Sequence, residues 1–218
     1  MQSLLRVENY EIMRGEFHLS IPELIVEKRK ITCLMGKSGS GKSTFLLSLA
    51  GFVPASKGKL IYEDRDITFL RPEERRLGLV FQKAALFSHL NVIQNVEFGL
   101  KVRGDEKGAR IQKATEWLEK LQIGHLKEKK SLEISVGEAQ RVALARVLAM
   151  DYPVILLDEP FSSLDVELRQ DLRNEILELI TQHGRGALLI THDPADVQTL
   201  ASHQYTLKNH QVLRGDGG

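Results

Sequence analysis

Gly36-Lys37-Ser38-Gly39-Ser40-Gly41-Lys42-Ser43-Thr44 is the stretch that decides the fold of this chain. It fits the pattern G-x-x-x-x-G-K-[ST] at every fixed position. The apolar run Ile31–Met35 before it suits a buried strand, and Phe45–Ala50 after it can continue as a helix that stops at Gly51. The pattern carries weight only between a strand and a helix, and here it has both. Gly36, Gly39 and Gly41 let the backbone bend so that successive N–H groups converge on phosphates. The dipole of the following helix favours the same negative charge. Lys42 is expected to reach the β- and γ-phosphates, and Ser43 to place its hydroxyl on Mg²⁺. A plain glycine-rich turn is the alternative; the flanking strand and helix favour a phosphate loop. The chain is therefore expected to bind a nucleoside triphosphate.

A chain of 218 residues can bury a sizeable core as one large domain with a subdomain. Its 30 basic and 29 acidic residues leave a net charge of +1, which gives no global footprint for nucleic acid. The single cysteine, Cys33, falls in the apolar strand before the phosphate loop and reads as a small buried hydrophobe. With no intrachain disulfide available, a reducing cytoplasm fits. The N-terminus meets charge too early for a secretory signal, and no run approaches the ~18 apolar residues that span a bilayer. Any membrane segment is expected to come from a partner.

Short apolar runs followed by amphipathic helices recur, the pattern of an α/β protein with a mostly parallel sheet. The expected core strands are Ile31–Met35, Leu77–Phe81, Val154–Leu157 and Ala187–Thr191. Lys59–Tyr62 reads as an antiparallel edge strand near the N-terminal segment. Tyr205–Leu207 and Gln211–Leu213 flank Lys208-Asn209-His210 as a closing hairpin. Between residues 84 and 150 the character turns helical. There Ala109–Leu121 places Ile111, Ala114, Leu118 and Leu121 on one face, with Trp117 packing beside them. Gly104–Gly108 reads as a solvated loop. The organisation expected is one domain over 1–218, its nucleotide-binding core at 1–83 and 151–218 and a helical insertion at 84–150.

Val154–Glu159 is an apolar strand that ends in two carboxylates, at the edge where ligands bind in parallel sheets. Asp158 is placed to hold Mg²⁺, and Glu159 to orient and polarise an attacking water. A helix-capping role is the plainer reading of the pair. Ser135-Val136-Gly137-Glu138 is a capping box taken alone, yet Gly137 costs helix propensity in the first turn and leaves N–H groups open to an anion. Ser162-Ser163-Leu164-Asp165 precedes a helix with Leu164, Leu168, Leu172, Ile176 and Leu179 along one side. His192 follows the strand Ala187–Ile190 on the phosphate side of the sheet, a placement that favours function over core packing.

In this order and over nearly the whole chain, these residues resemble the ATP-binding cassette (ABC) ATPases. Gly36–Thr44 matches the Walker A motif, and Gln82 the Q-loop. Ile134–Glu138 matches the signature sequence, and Val154–Glu159 the Walker B strand with the catalytic glutamate. Ser162–Asp165 matches the D-loop, and His192 the switch histidine. The resemblance implies a P-loop NTPase (RecA-like) core with an N-terminal antiparallel β segment and a helical subdomain. It also implies ATP and Mg²⁺ as ligands, and a head-to-tail homodimer or pseudo-dimer with a second ATPase subunit. ATP would be held by Gly36, Lys37, Ser38, Gly39, Ser40, Gly41, Lys42, Ser43 and Thr44 of one protomer and by Ser135 and Gly137 of the other. Mg²⁺ would be held by Ser43, Gln82 and Asp158. Glu159, His192 and Gln82 would be the catalytic residues, and Asp165 a dimer contact.

Two departures from the family pattern stand out. The signature usually reads LSGGQ, whereas this chain has Ile134-Ser135-Val136-Gly137-Glu138. The aromatic that stacks on adenine aligns near Met13 and Arg14, with Tyr10 and Phe17 as the displaced candidates. Leu86–Val92 with Asn95-Val96 resembles small bacterial importers, and with the closing hairpin near its end the chain is expected to lack the C-terminal regulatory domain that many importers append. The function implied is an ATP-hydrolysing subunit of an importer of a small solute, peripheral on the inner face of the cell membrane. Its partners would be an integral membrane permease and an extracytoplasmic binding protein, with no nucleic acid. The competing reading is a non-transport ABC ATPase acting mechanically on a membrane protein complex.

Overall fold

The computed structural model describes residues 3–162, 164 and 166–215, and of residues 167 and 168 only the backbone. In chain order the elements are β1 (Ser3–Arg14), β2 (Phe17–Glu27), β3 (Ile31–Gly36), α1 (Lys42–Leu49), β4 (Lys57–Tyr62), β5 (Arg65–Asp66), α2 (Pro72–Arg75) and β6 (Leu77–Val80). There follow α3 (Val92–Arg103), α4 (Lys107–Lys120), α5 (Val136–Leu148), β7 (Val154–Asp158), α6 (Val166–Gln182), β8 (Gly186–Thr191), α7 (Pro194–Leu200), β9 (His203–Lys208) and β10 (Gln211–Arg214). The chain divides into two compact units. The first comprises Met1–Leu79, Pro153–Glu159 and Ile176–Gly218; the second comprises Val80–Tyr152 and Pro160–Glu175.

The first unit is built on a sheet of ten strands among the described residues, ordered β5-β4-β1-β2-β10-β9-β3-β8-β7-β6. Strands β9, β3, β8 and β7 run parallel, whereas β5, β4, β1 and β2 form an antiparallel segment. The hairpin of β9 and β10 joins the two parts, and β10 meets β2 at the single pair Gln211↔Ser20. The fold is thus the α/β P-loop arrangement with an N-terminal antiparallel β segment. Strands β7 and β8 are buried along their whole length, as strands covered on both faces must be. The one polar residue in the first four of β3, Thr32, is satisfied by donating to Ile25 O at 2.7 Å. Cys33 is fully buried, and burial first, then the nearby Asp196 charge, push its thiol up to about 12. It is an inert core residue.

Lys59–Tyr62 does not form the sheet edge. It lies in β4, one strand in, because the turn at Glu63 and Asp64, both at positive φ, folds β5 back onto it.

Helix α1 packs Phe45, Leu46 and Leu49 into the core. Its C-terminus is closed by the buried Arg75 guanidinium, which donates to Ser48 O and Leu49 O at 2.7 Å each, and to Thr68 O and Leu70 O. A cation at a helix C-terminus both satisfies the last carbonyls and opposes the dipole.

In the second unit, α3, α4 and α5 pack together. Ala114, Trp117, Leu118 and Leu121 are buried, while Ile111 is 36% exposed, so the apolar face of α4 is narrower than its sequence spacing predicts. Lys120 Nζ lies 4.5 Å from the Trp117 ring centroid, covering its outer side. Lys107 and Gly108 belong to α4, because the Glu106 carboxylate caps that helix by accepting from Ala109 N–H at 3.0 Å. The fully buried Asn95 fixes the loop before α3: its Oδ1 accepts from Phe87 N–H at 2.8 Å and its Nδ2 donates to Asn91 O at 3.0 Å.

Candidate active site

The parallel strands end their carboxyl edges side by side in the first unit. Met35 on β3 pairs with Thr191 on β8, and Asp158 on β7 pairs with Ile190 on β8. This register puts the phosphate loop, Asp158, Glu159 and His192 at one edge, although they are far apart in sequence. The carboxyl edge of such a sheet is where ligands bind.

In the loop, Gly39 and Gly41 have φ of 75° and 105°, values that side chains with a Cβ rarely adopt. Gly41 is the N-cap of α1, with no side-chain cap and no acidic residue in the first turn. The first N–H groups of the helix and its positive dipole end are therefore left to a ligand. The Ser40 hydroxyl is buried without a hydrogen-bond partner, and an orphaned buried donor is the mark of a site shaped for an acceptor. Lys42 is 4% exposed; its ammonium donates to Gly36 O at 2.8 Å and Lys37 O at 2.9 Å and lies 3.7 Å from Glu159 Oε1. Its charge is held inside the loop.

Ser43 Oγ donates to Asp158 Oδ1 at 3.1 Å. Burial raises the Asp158 pKa most; the Ser43 hydrogen bond opposes that, the Glu159 charge adds to it, and Lys42 opposes it. A hydroxyl and a carboxylate suit Mg²⁺, a hard cation that keeps its remaining ligands from water and phosphate oxygens. No group of three or more His, Cys, Asp or Glu among the described residues could hold a metal. The Ser43 hydroxyl and Asp158 carboxylate fit a cation whose other ligands come from a phosphate and water.

Glu159 follows β7 in a left-handed conformation with φ 45°, and its N–H is tied to Ile190 O at 2.9 Å. The turn swings the carboxylate between Lys42 and His192: Oε2 lies 3.1 Å from His192 Nδ1. A strained non-glycine residue held this firmly at a ligand edge is a functional signature.

Tyr10 and Phe17, the two aromatic candidates for adenine, separate cleanly. Tyr10 is fully buried and hydrogen-bonded to Ser48 Oγ at 2.8 Å, so it is a core residue. Phe17 is half-buried and, with Arg14, Gly15 and Thr44, lines an open cleft of about 580 Å³. The Phe17 ring presses on the phosphate loop itself: a Cβ built at Gly41 would lie 2.7 Å from Phe17 Cζ.

A family model described as ABC transporter matches residues 19–162 of the 218. The chain belongs to the ABC transporter family. The sulfate/thiosulfate import ATP-binding protein CysA of Xanthomonas campestris pv. campestris is 39% identical over 197 residues, covering 88% of this chain and 57% of that protein. A probable sulfate/thiosulfate import ATP-binding protein CysA of Chlorella vulgaris is 36% identical, covering 95% of this chain and 89% of its own length. The chain spans only 57–61% of the length of several bacterial relatives. The crystal structure of the ADP conformation of an ATP-binding cassette of an ABC transporter superposes with a TM-score of 0.86 at 28% identity, over 100% of this chain and 92% of the other.

Within this cassette, Lys42, Ser43, Asp158, Glu159 and His192 are linked by direct contacts in the first unit. Gln82, Ser135 and Gly137 belong to the second unit. Gln82 Nε2 donates to Ser162 Oγ at 3.2 Å. Ser135 caps α5 with both halves of the capping box: Glu138 N–H to Ser135 Oγ at 3.3 Å and Ser135 N–H to Glu138 Oε2 at 2.7 Å. The Ser135 N–H on the Glu138 carboxylate lowers its pKa most; burial opposes that, and the Ser135 hydroxyl beside the carboxylate adds to the lowering. Val136, the first residue of α5, is 62% exposed. Asp165 and Ser163 lie outside the described residues, as does the Leu168 side chain. Thr44, expected at the phosphates, and Arg14, expected near the adenine, both line the cleft, whereas Thr191 and Asp196 near His192 carry no motif that marks them in the sequence.

Proposed function

We propose that this chain is the ATP-binding and ATP-hydrolysing subunit of a bacterial importer of a small solute. The observation that carries the reading is the Lys42–Glu159–His192 chain of contacts at the carboxyl edge, next to the Ser43–Asp158 pair. Lys42 and the loop N–H groups bind the β- and γ-phosphates, and Phe17 supplies a stacking face for adenine. Ser43 and Asp158 hold Mg²⁺, which neutralises phosphate charge when bound. Glu159 takes the proton of the water that attacks the terminal phosphorus, and His192 contacts the γ-phosphate oxygens as charge shifts there. The negative charge of the departing ADP is balanced by Lys42.

The family resemblance supports further parts of the reading. Ser135 and Gly137 act in trans on the ATP of a second copy or a second ATPase subunit. Asp165 lies at that dimer contact. Gln82 senses the Mg²⁺ and γ-phosphate and couples to a permease. The whole chain works as one ATPase domain, with the helical insertion as the coupling element. No helix among the described residues is long and apolar enough to cross a membrane. The subunit is peripheral on the inner face of the membrane, its membrane segment supplied by the permease and its cargo chosen by the permease and an extracytoplasmic binding protein. The relatives are named for sulfate and thiosulfate import; for this chain the proposal stops at a small solute.

Calorimetry of Lys42→Ala tests the site: MgATP affinity should fall at least tenfold in a folded protein, and unchanged affinity would refute the assignment. Co-purification from native membranes tests the partner. A multi-span permease supports transport, and recovery with a single-span complex alone would favour the mechanical reading.

A further inference from the structure

His192 is held in place by surprisingly little of its own packing. Its side chain is 57% exposed, and among the described residues its polar contact to the site is the approach to Glu159 at 3.1 Å. The turn that carries it, between β8 and α7, is by contrast built on buried polar groups. Thr191 and Asp196 are 2% and 3% exposed. Thr191 Oγ1 donates to the Asp196 carboxylate and accepts the Asp193 N–H at 3.0 Å. Asp193 then caps α7 by accepting from Ala195 N–H at 2.9 Å.

The order of these bonds matters. A hydroxyl has one proton, and a carboxylate can only accept. With its proton committed to Asp196, Thr191 Oγ1 is left with lone pairs facing the Asp193 N–H. The peptide following His192 is thereby tied to the side chain of the residue preceding it. Both flanks of His192 are fixed through one buried hydroxyl, which holds the backbone from which the exposed ring reaches Glu159. Asp193 caps α7, and Asp196, in the first turn of that helix, also carries the Thr191 hydroxyl.

We propose that Thr191 and Asp196 are positioning residues for His192, setting the imidazole against Glu159 and the terminal phosphate. The catalytic half of this statement rests on the proposed ATPase reading; the structural half does not. Buried polar networks of this kind hold a geometry firmly when every member is satisfied.

The test uses the full chain and the variants Thr191→Val, which keeps shape and removes both bonds, Thr191→Ser, which keeps both, and Asp196→Ala. The His192 ring signal in nucleotide-free protein, identified by its loss in His192→Ala, is followed by NMR. In Thr191→Val and Asp196→Ala it should move toward the position of a free imidazole, and in Thr191→Ser it should stay. Steady-state ATP hydrolysis should show kcat lowered about tenfold in Thr191→Val with KM within about twofold. The loss should be absent in a His192→Ala background, because residues acting through one another are not additive. An unmoved ring signal in Thr191→Val and Asp196→Ala overturns the proposal, as does the same fold-loss with and without His192. If Thr191→Val does not fold, Asp196→Ala against Thr191→Ser decides by the same signal. A wild-type protein that hydrolyses no ATP would refute the functional reading, while the ring signal still decides the positioning.

Discussion

Gly41→Ala should damage this protein through two separable effects. At φ 105° an alanine is forced into a region that side chains avoid, at a cost of about 1–2 kcal/mol. Its Cβ would also meet Phe17 Cζ at 2.7 Å and Cε2 at 3.0 Å. The ring must swing away from its edge-on contact with His210, a repacking worth about 1–2 kcal/mol at the lower end of overpacking costs. Gly39→Ala is the control, since its φ of 75° imposes strain and nothing lies within 4 Å of its Cβ. Gly39→Ala should therefore lower stability by about 1–2 kcal/mol and Gly41→Ala by about 2–4 kcal/mol, at roughly 2–4 °C of Tm per kcal/mol for a chain of this size. Calorimetric melting of the ligand-free proteins measures both. In a Phe17→Ala background the excess of Gly41 over Gly39 should shrink, leaving the part due to φ. Calorimetric titration with MgATP should show a larger affinity loss for Gly41→Ala, because Phe17 is displaced with it. An excess that persists undiminished without Phe17 would refute the contact argument.

Glu159→Gln should keep MgATP binding and slow hydrolysis by about two orders of magnitude, the scale of a lost general base; wild-type turnover would place the base elsewhere. Val136→Gly removes an exposed side chain from the start of α5 and should strengthen ATP-induced dimerisation, at a helix cost of up to about 1 kcal/mol. Sedimentation with both proteins carrying Glu159→Gln isolates the effect, and equal dimerisation would make the valine neutral. Asp158 has a folded pKa raised above 3.8 by burial, so its contribution to stability is fully present below 3.8 and is lost as pH rises through the raised value. Asp158→Asn should accordingly raise the ligand-free Tm at pH 7, with the gain fading as pH falls toward 3.8, while abolishing Mg²⁺-dependent hydrolysis. A lower Tm at pH 7 would contradict that sign.

The parts of this site that could be read from sequence are those whose chemistry is local. The phosphate loop is announced by its own glycines and by the strand and helix on either side. Asp158 and Glu159 stand out because carboxylates end an otherwise apolar strand. The Tyr10–Phe17 choice was not legible, because it turns on a β-bulge. The register against β4 slips between Glu8 and Glu11, where Asn9 takes φ 46°. Inward positions run Leu5, Val7, Tyr10, Ile12, so the slip turns Tyr10 into the core, where simple alternation would have faced it outward. The hairpin of β9 and β10 was readable from its turn, but its insertion between β3 and β2 was not, since those pairings join residues nearly 200 positions apart and leave no periodic trace. Likewise, nothing in the spacing of Thr191 and Asp196 tells that both are buried and bonded to each other.

Helix α1 is electrically finished at one end only. Arg75 neutralises its rear, while its front has no side-chain cap and no acidic residue in its own first turn. On the proposed reading the phosphates of a nucleotide accept from its open N–H groups, which makes nucleotide a determinant of how much folded protein a cell contains. A ligand present at 100 times its Kd adds about 2.7 kcal/mol to the native state, comparable to the whole penalty expected for Gly41→Ala. Mutations that loosen the phosphate loop should therefore register twice, once as lost turnover and again as lower steady-state abundance, with the second deficit deepening when cellular ATP is depleted.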